Sequence, residues 1–189
     1  MSARKKLAIF ASGSGSNFEA IAKACQKGRI NAEASLCVCD HPGAYVCERA
    51  KKLNIPVLEL RPKSYPTKAE YEEEIIKALE HFEIDFIALA GYMRIMGETL
   101  LSRYGGKIVN IHPSLLPAFP GVDAIGQALN YGVKVFGITV HYVDHTLDGG
   151  KIISQTAIAY EGGDREELEA MIHPHEHALY VETLKKLLQ

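Results

Sequence analysis

Short apolar runs alternate with segments of helical periodicity along the first two thirds of this chain. The first run, Leu7–Ala11, precedes a segment in which Phe18, Ile21 and Cys25 recur on one helix face, with Gly28 just beyond its end. Four later runs also predict strands, at Ala34–Cys39, Val57–Leu60, Asp85–Tyr92 and Lys107–His112. Nearly continuous apolar strands that alternate with helices are typical of a parallel sheet covered on both faces. We therefore expect an α/β fold with a Rossmann-like, mostly parallel sheet flanked by helices.

The last third of the chain has a different pattern. Phe136–Val143 and Gly150–Ile158 alternate more strongly between apolar and polar residues, and only a short turn separates them. They predict a C-terminal antiparallel hairpin at the end of the sheet, and a final helix follows from about Arg165 to Leu188 with Pro174 as a candidate break. Other helices are predicted through Arg49–Leu53, over Lys68–Phe82 with Glu72–Glu74 on its solvated face, and near Glu98–Tyr104. Without an internal repeat or linker, residues 1–189 are expected to form one domain.

Composition excludes several classes of protein. The 189 residues are 47% apolar, enough for a substantial core, and 21 basic against 23 acidic residues give a net charge of −2. This balance excludes the broad basic surface of a general nucleic-acid binder and also an acidic disordered chain. The 4 cysteines form no C-x-x-C pair, and no export signal or membrane-spanning run is present. We expect a cytoplasmic protein, a monomer or homodimer, with small-molecule substrates and neither nucleic acid nor membrane as partner.

A glycine-rich turn lies between the first strand and the first helix. It reads S-G-S-G-S-N over residues 12–17 and includes Gly15, Ser16 and Asn17. Such a turn presents backbone N–H groups and the positive end of a helix dipole to an anion. The spacing is neither G-x-G-x-x-G nor a P-loop, which favours a single phosphate over a dinucleotide. A tight turn with a helix cap explains the same residues, and the turn alone does not decide between them.

Polar side chains also follow the strand at Lys107–His112. Asn110 and His112 are two residues apart and therefore leave one face of the strand, at the edge where open α/β sheets bind ligands. An amide and an imidazolium aimed at one point would stabilise a developing oxyanion. A polar strand end held by local hydrogen bonds is the simpler alternative. Asp148, in the L-D-G-G turn of the hairpin, is by itself ordinary turn chemistry.

Taken together, these segments resemble the phosphoribosylglycinamide formyltransferases, a family of folate-dependent enzymes of purine synthesis. The resemblance rests on N-I-H-P-S-L-L-P, on L-D-G-G with Asp148 thirty-six residues after His112, and on the S-G-S-G-S-N turn, and it covers essentially the whole chain. It implies transfer of a formyl group from 10-formyltetrahydrofolate to the amino group of N1-(5-phosphoribosyl)glycinamide, without a metal. The cluster from His173 to His177 is accordingly not expected to bind one, since only these two of its histidines share a helix face.

The resemblance also implies roles for individual residues. The catalytic residues are Asn110, His112 and Asp148, and the acceptor substrate is bound by Gly15, Ser16, Asn17 and Glu176. The folate is bound by Lys68, Met93, Arg94, Ile95, Met96, Asn110, Val143 and Asp144, and the Leu116–Pro117 bond is a cis candidate. The sequence departs from the commoner pattern at Asp123, His145 and Val181.

Two other functions would share part of this sequence pattern. A 10-formyltetrahydrofolate hydrolase shares the three catalytic residues but normally carries a further N-terminal domain, for which a first strand beginning near Lys6 leaves no room. A non-catalytic nucleotide-binding module explains the glycine-rich turn. It gives no reason for Asn110, His112 and Asp148 to occur together.

Overall fold

Seven strands and six α-helices occur in the computed structural model, which describes residues 4–162 and 164–189. The strands are β1 (Lys5–Ala11), β2 (Ala32–Cys39), β3 (Val57–Glu59), β4 (Phe86–Leu89), β5 (Ile108–His112), β6 (Val135–Tyr142) and β7 (Ile152–Ala159). The helices are α1 (Ser16–Gln26), α2 (Tyr45–Lys52), α3 (Lys68–His81), α4 (Glu98–Tyr104), α5 (Ala124–Tyr131) and α6 (Arg165–Leu187). A short 3-10 turn spans Pro62–Ser64. Among the described residues, no helix is both long and apolar enough to cross a bilayer.

All seven strands belong to one sheet in the order β3-β2-β1-β4-β5-β6-β7. Strands β1 to β5 pair in parallel, whereas β6 is antiparallel to both β5 and β7. The predicted α/β class, the mostly parallel sheet and the antiparallel hairpin are confirmed. Strand order reverses at β1, which pairs with both β2 and β4. A crevice is expected outside the carboxyl ends of strands at such a switch point.

The apolar run of β1 is continuous because the strand contributes to two cores. Leu7 and Ile9 face a core shared with α1, α2 and α6, while Ala8 and Phe10 face the core formed with α3 and α4. All four side chains are fully buried. Because both faces of β1 are packed, the strand cannot slide along its neighbours, and the loop that follows it has a fixed position.

Three expectations about secondary structure were wrong. The Asp85–Tyr92 run forms a strand only over Phe86–Leu89, so the chain leaves the sheet earlier and forms a loop. Helix α5 was not predicted, because Pro117 and Pro120 just before it indicate irregular structure. Its residues Ile125, Ala128 and Leu129 nevertheless have helical spacing. Pro174 does not break α6, which remains continuous.

The acidic run on α3 is only partly solvated, which corrects the expectation for Glu72. Its side chain is buried, and its carboxylate accepts hydrogen bonds from the backbone N–H groups of Gly97 (2.6 Å) and Leu100 (3.1 Å) at the start of α4. The residue therefore caps a neighbouring helix. Sequence periodicity placed it on the outer face because the capped helix lies 25 residues away along the chain.

We expect Glu72→Ala to lower the free energy of unfolding by about 2–3 kcal/mol, because it leaves two backbone donors without their acceptor. Urea denaturation followed by circular dichroism measures the change. The matched control is Glu73→Ala, at an exposed position of the same helix, where a change of at most about 0.5 kcal/mol is expected. Equal effects of the two substitutions would contradict the capping role.

Candidate active site

Asn110, His112 and Asp148, the three predicted catalytic residues, lie together at the carboxyl end of β5. Asn110 pairs directly with His141 across the β5–β6 ladder, and its Nδ2 is 3.2 Å from His141 Nε2. The carboxylate of Asp148 lies 3.5 Å from His112 Nδ1 and 3.8 Å from His141 Nε2. An amide, two imidazoles and a carboxylate thus form one contiguous polar group.

Both ring nitrogens of His112 face oxygen acceptors. Nε2 is 2.9 Å from the carbonyl oxygen of Phe119, which can only accept, and Nδ1 faces the Asp148 carboxylate. Two acceptors match the doubly protonated imidazolium, which has two N–H donors. Phe119 adopts a left-handed backbone conformation (φ 53°) that is uncommon for a bulky residue, and this conformation presents its carbonyl to the imidazole.

The hairpin turn places Asp148 opposite His112. Asp148 has a left-handed backbone (φ 49°), and its Oδ2 accepts a hydrogen bond of 2.8 Å from the Gly121 N–H group. The chain then passes so close to β6 that a Cβ on Gly150 would lie 1.8 Å from the Tyr142 carbonyl oxygen. Only glycine fits there, which explains one part of the L-D-G-G motif on structural grounds.

His141 belongs to the same polar group as Asn110 and Asp148, although the sequence patterns did not identify it as a site residue. Its Nδ1 lies 2.8 Å from the Tyr142 carbonyl oxygen, so this nitrogen carries the hydrogen and Nε2 accepts from Asn110. Burial lowers the pKa of His141, in spite of the Tyr142 carbonyl and Asp148, and favours this neutral form. His141 could have been found from the strand register, because in the antiparallel pairing of β6 with β5 one residue of β6 lies directly opposite Asn110.

The glycine-rich turn begins α1, with Gly15 as the residue that precedes the helix. Its backbone is left-handed (φ 75°), and a Cβ there would lie 2.5 Å from a methyl group of Val46. The residue before the helix forms no side-chain cap, and the Asn17 amide donates to Glu176 instead. The tight turn of the alternative explanation is therefore present, without the predicted side-chain cap. The backbone N–H groups of the first turn point out of the helix end, as anion binding requires.

Helix α6 packs beneath the sheet between the glycine-rich turn and the end of β5. Asn17 Nδ2 donates to Oε2 of Glu176 at 3.2 Å, and Glu176 is only 8% exposed. Burial raises the pKa of Glu176, while His173 and the hydrogen bond from Asn17 act in the opposite direction. One turn later, Tyr180 donates to the carbonyl oxygens at Leu89 and Val109 and fixes the helix beneath β4 and β5.

A cleft of about 470 Å³ lies beside the loop that follows β4. Five of the predicted folate-binding residues line it, namely Lys68, Met93, Arg94, Ile95 and Met96. The other three, Asn110, Val143 and Asp144, lie outside its lining. Asn110 belongs to the polar group at the end of β5, and Val143 packs against the core formed with α3 and α4. The Asp144 carboxylate accepts from the backbone and hydroxyl of Thr146, so it holds the hairpin turn.

The Leu116–Pro117 bond is cis, as expected. In residues 4–162 and 164–189, no group of three histidine, cysteine or acidic side chains is arranged to hold a metal ion. The four cysteines, Cys25, Cys37, Cys39 and Cys47, are buried free thiols.

Comparison with known proteins identifies the family. The profile for formyl transferases matches residues 5–184 of the chain. The chain belongs to the formyl transferase family. It is 56% identical over 185 residues to phosphoribosylglycinamide formyltransferase of Bacillus subtilis (strain 168), covering 97% of this chain and 95% of that protein.

Solved structures of the family share the whole fold. Glycinamide ribonucleotide transformylase 1 from Geobacillus kaustophilus superimposes with a TM-score of 0.96 at 55% identity, covering 98% of this chain and all of that one. Phosphoribosylglycinamide formyltransferase from Bacillus halodurans gives a TM-score of 0.95 at 53% identity, with 98% and 96% covered. The resemblance inferred from the sequence motifs is confirmed.

The three departures from the commoner family pattern lie at the edge of the site or outside it. His145 is exposed on the hairpin turn, 3.3 Å from Glu98. Asp123 precedes α5 and pairs with Arg165 at 2.8 Å, and Val181 is buried in the core beneath α6. None of the three contacts Asn110, His112 or Asp148 through a described hydrogen bond or ion pair.

Proposed function

We propose that this chain transfers the formyl group of 10-formyltetrahydrofolate to the amino group of N1-(5-phosphoribosyl)glycinamide in de novo purine biosynthesis. The products are the N2-formyl compound and tetrahydrofolate. The observation that supports this proposal most strongly is that Asn110, His112 and Asp148 lie together at the end of β5. The glycine-rich turn follows β1, and the cleft lies beside the loop that follows β4 of the same sheet. Two substrate sites and one polar centre therefore share one edge.

The acceptor is assigned to the glycine-rich turn and α6. Backbone N–H groups of Gly15, Ser16 and Asn17 bind its phosphate, as the end of a helix with no side-chain cap favours. Glu176 receives the amino group, with Asn17 holding its carboxylate. Helix α6 also donates from Tyr180 to the carbonyl oxygen of Val109 on β5, which supports placing this amine near the end of that strand.

The donor is assigned to the cleft. Met93, Ile95 and Met96 supply apolar contacts for the pterin, and the cationic Lys68 at the cleft wall faces the carboxylates of the glutamate tail. Asn110, Val143 and Asp144 complete the folate site from the β5 and hairpin side. In this proposal the formyl end of the folate lies on the His112 side, and the glutamate tail lies towards Lys68.

The chemistry is an addition followed by elimination. The amine lone pair attacks the formyl carbon, and the carbonyl electrons move to oxygen. The oxyanion receives a hydrogen bond from the Asn110 N–H that is not given to His141, and the positive charge of the nearby His112 imidazolium stabilises it electrostatically. Asp148 stabilises the imidazolium and routes the amine proton through water to N10 as the C–N10 bond breaks.

A direct assay tests this function. The purified protein is mixed with 10-formyltetrahydrofolate and synthetic N1-(5-phosphoribosyl)glycinamide, and the change in folate absorbance is followed. We expect formation of tetrahydrofolate and the N2-formyl product in equal amounts. Absence of product with both substrates at saturating concentration would refute the proposal.

Asn17→Ala is expected to raise the KM for the acceptor about tenfold and to leave the KM for the folate unchanged, because it removes a hydrogen bond to Glu176 beside the phosphate site. Ser16→Ala is expected to act in the same direction. Steady-state kinetics with each substrate varied in turn measures both constants. The control is Asn31→Ala, at an exposed position between α1 and β2. Equal rises for both substrates would argue against this assignment.

The proposed reaction uses only side chains, backbone amides and a folate that is already activated. We therefore expect a chelator such as EDTA to leave the rate unchanged and the purified protein to contain no stoichiometric metal. Activity lost on chelation and restored by one equivalent of zinc would instead assign a metal to the His173 and His177 pair.

We also propose that residues 1–189 act as one formyltransferase domain, as a monomer or homodimer in the cytoplasm. The single sheet that includes all the described strands supports the first point. Four free thiols support a reducing compartment.

A further inference from the structure

A fully buried carboxylate lies at the switch point of the sheet, outside the catalytic group. Asp40 follows β2, and its side chain is 0% exposed. Its Oδ2 accepts from Arg94 Nε at 2.9 Å, and its Oδ1 lies 3.0 Å from His41 Nδ1. Burial opposes the ionised form, but the Ser12 hydroxyl, His41 and Arg94 together keep the pKa of Asp40 below its ordinary value. A charge in such a place needs these partners.

The partners of Asp40 belong to the loops on both sides of the crevice. Ser12 opens the glycine-rich turn after β1, and its hydroxyl also accepts a 2.9 Å hydrogen bond from the Met93 N–H group. Arg94 lies in the loop after β4. The Asp40–Arg94 pair therefore ties the carboxyl end of β2 to the loop after β4, and the Ser12–Met93 hydrogen bond joins the end of β1 to the same loop.

The segment Met93–Met96 has few other contacts to hold its shape. It contains no helix or strand, and Met93 and Ile95 are 77% and 60% exposed. Buried Tyr92 and Met96 anchor its two ends. Between these ends, the described polar anchors are Met93 to Ser12 and Arg94 to Asp40. Without the carboxylate, the Arg94 guanidinium loses its buried acceptor and turns to solvent, and the segment loses its fixed form.

We infer that Asp40 is a positioning residue that holds Met93–Met96 in the conformation that receives the formyl donor. This inference rests on the proposed function, because the segment is assigned there to the folate. Asp40 acts through Arg94 and Ser12 and does not touch a reactant. Preorganising the segment lowers the cost of binding, so the effect falls on the donor and not on the chemical step.

The test compares Asp40→Ala with Asp40→Asn and with Asp85→Ala as matched control. Asp85 lies before β4, at the opposite edge of the sheet, and its carboxylate accepts from the Lys6 N–H group at 2.8 Å. For Asp40→Ala we expect the donor KM to rise about tenfold, the size of losing one charge-assisted hydrogen bond. The acceptor KM and the kcat at saturating donor stay close to wild type. Asp40→Asn, which keeps an oxygen acceptor, lies between the two, and Asp85→Ala leaves the donor KM unchanged.

Hydrogen–deuterium exchange of the peptide covering residues 91–97 gives a readout without substrate, and we expect faster exchange in Asp40→Ala. Wild-type values of donor KM and exchange in this variant, or an equal rise in Asp85→Ala, overturn the inference. If Asp40→Ala does not fold, Asp40→Asn takes its place: a higher donor KM and faster exchange support the inference, and wild-type values overturn it. If the wild type transfers no formyl group, the proposed function fails, and the exchange measurement alone decides the role of Asp40.

Discussion

Replacing His112 by alanine is expected to lower kcat about 10²–10³-fold, because the positive charge that stabilises the developing oxyanion is lost. His112 is only 6% exposed, and its imidazole is held between the Phe119 carbonyl and Asp148, so its charge is positioned before the substrates arrive. Asn110→Ala and Asp148→Ala are each expected to cost about 10²-fold for the same intermediate. Steady-state kinetics with both substrates saturating measures the effect, with far-UV circular dichroism to confirm the fold.

The matched control for His112 is His81→Ala, at an exposed position at the end of α3. It should leave kcat unchanged. Because Asn110, His112 and Asp148 act on one intermediate, the double variants should lose less than the product of the single losses. A folded His112→Ala enzyme with near-normal turnover, or strictly multiplicative losses, would remove the catalytic assignment.

Hydrolysis of 10-formyltetrahydrofolate without acceptor is expected to run at least about 10²-fold slower than formyl transfer, because water gains nothing from the glycine-rich turn. In the proposed binding mode, Gly15–Asn17 hold the phosphate of the acceptor and Glu176 holds its amine, so attack on the formyl carbon is effectively intramolecular. Orientation of two bound reactants supplies roughly 7–11 kcal/mol in the best intramolecular cases, and the expected difference needs only part of it. Tetrahydrofolate release with and without acceptor, at saturating donor, gives both rates.

Glycinamide without its ribose phosphate provides the control for this second prediction. It offers an amine but no group for the glycine-rich turn, so its rate should lie near the hydrolysis rate, since remote binding energy positions the amine. Equal rates with and without the phosphorylated acceptor would favour the hydrolase alternative, and the glycine-rich turn would then need another ligand.

Much of the fold followed from local patterns. Burial of β1 on both faces gave the continuous run Leu7–Ala11, and the one-face periodicity of Phe18, Ile21 and Cys25 located α1. The same kind of pattern was present for α5 but was outweighed by the prolines before it. Strand alternation placed Asn110 and His112 on one face, and the structure has both side chains in the same polar group.

Contacts between distant segments were beyond these patterns. The periodicity of α3 predicts a solvated Glu72, yet this residue caps α4. Asp40 follows β2 and has no distinguishing pattern in the sequence, yet it forms an ion pair with Arg94. His141 became visible only through the register of β6 against β5. In each case the partner lies between 25 and 54 residues away along the chain.

The sequence by itself determined the class of fold and the family, and it proposed the residues of the site, because periodicity and motif spacing act within a strand, a helix or a turn. The tertiary structure decided which of these residues meet. The chain leaves β6 beside the beginning of β5, and Asp148 reaches His112 because the turn between β6 and β7 folds back towards the carboxyl end of β5. Asn17 reaches Glu176 because α6 packs on α1. Such contacts depend on how the whole sheet and its helices close, and a local pattern contains no information about that closure.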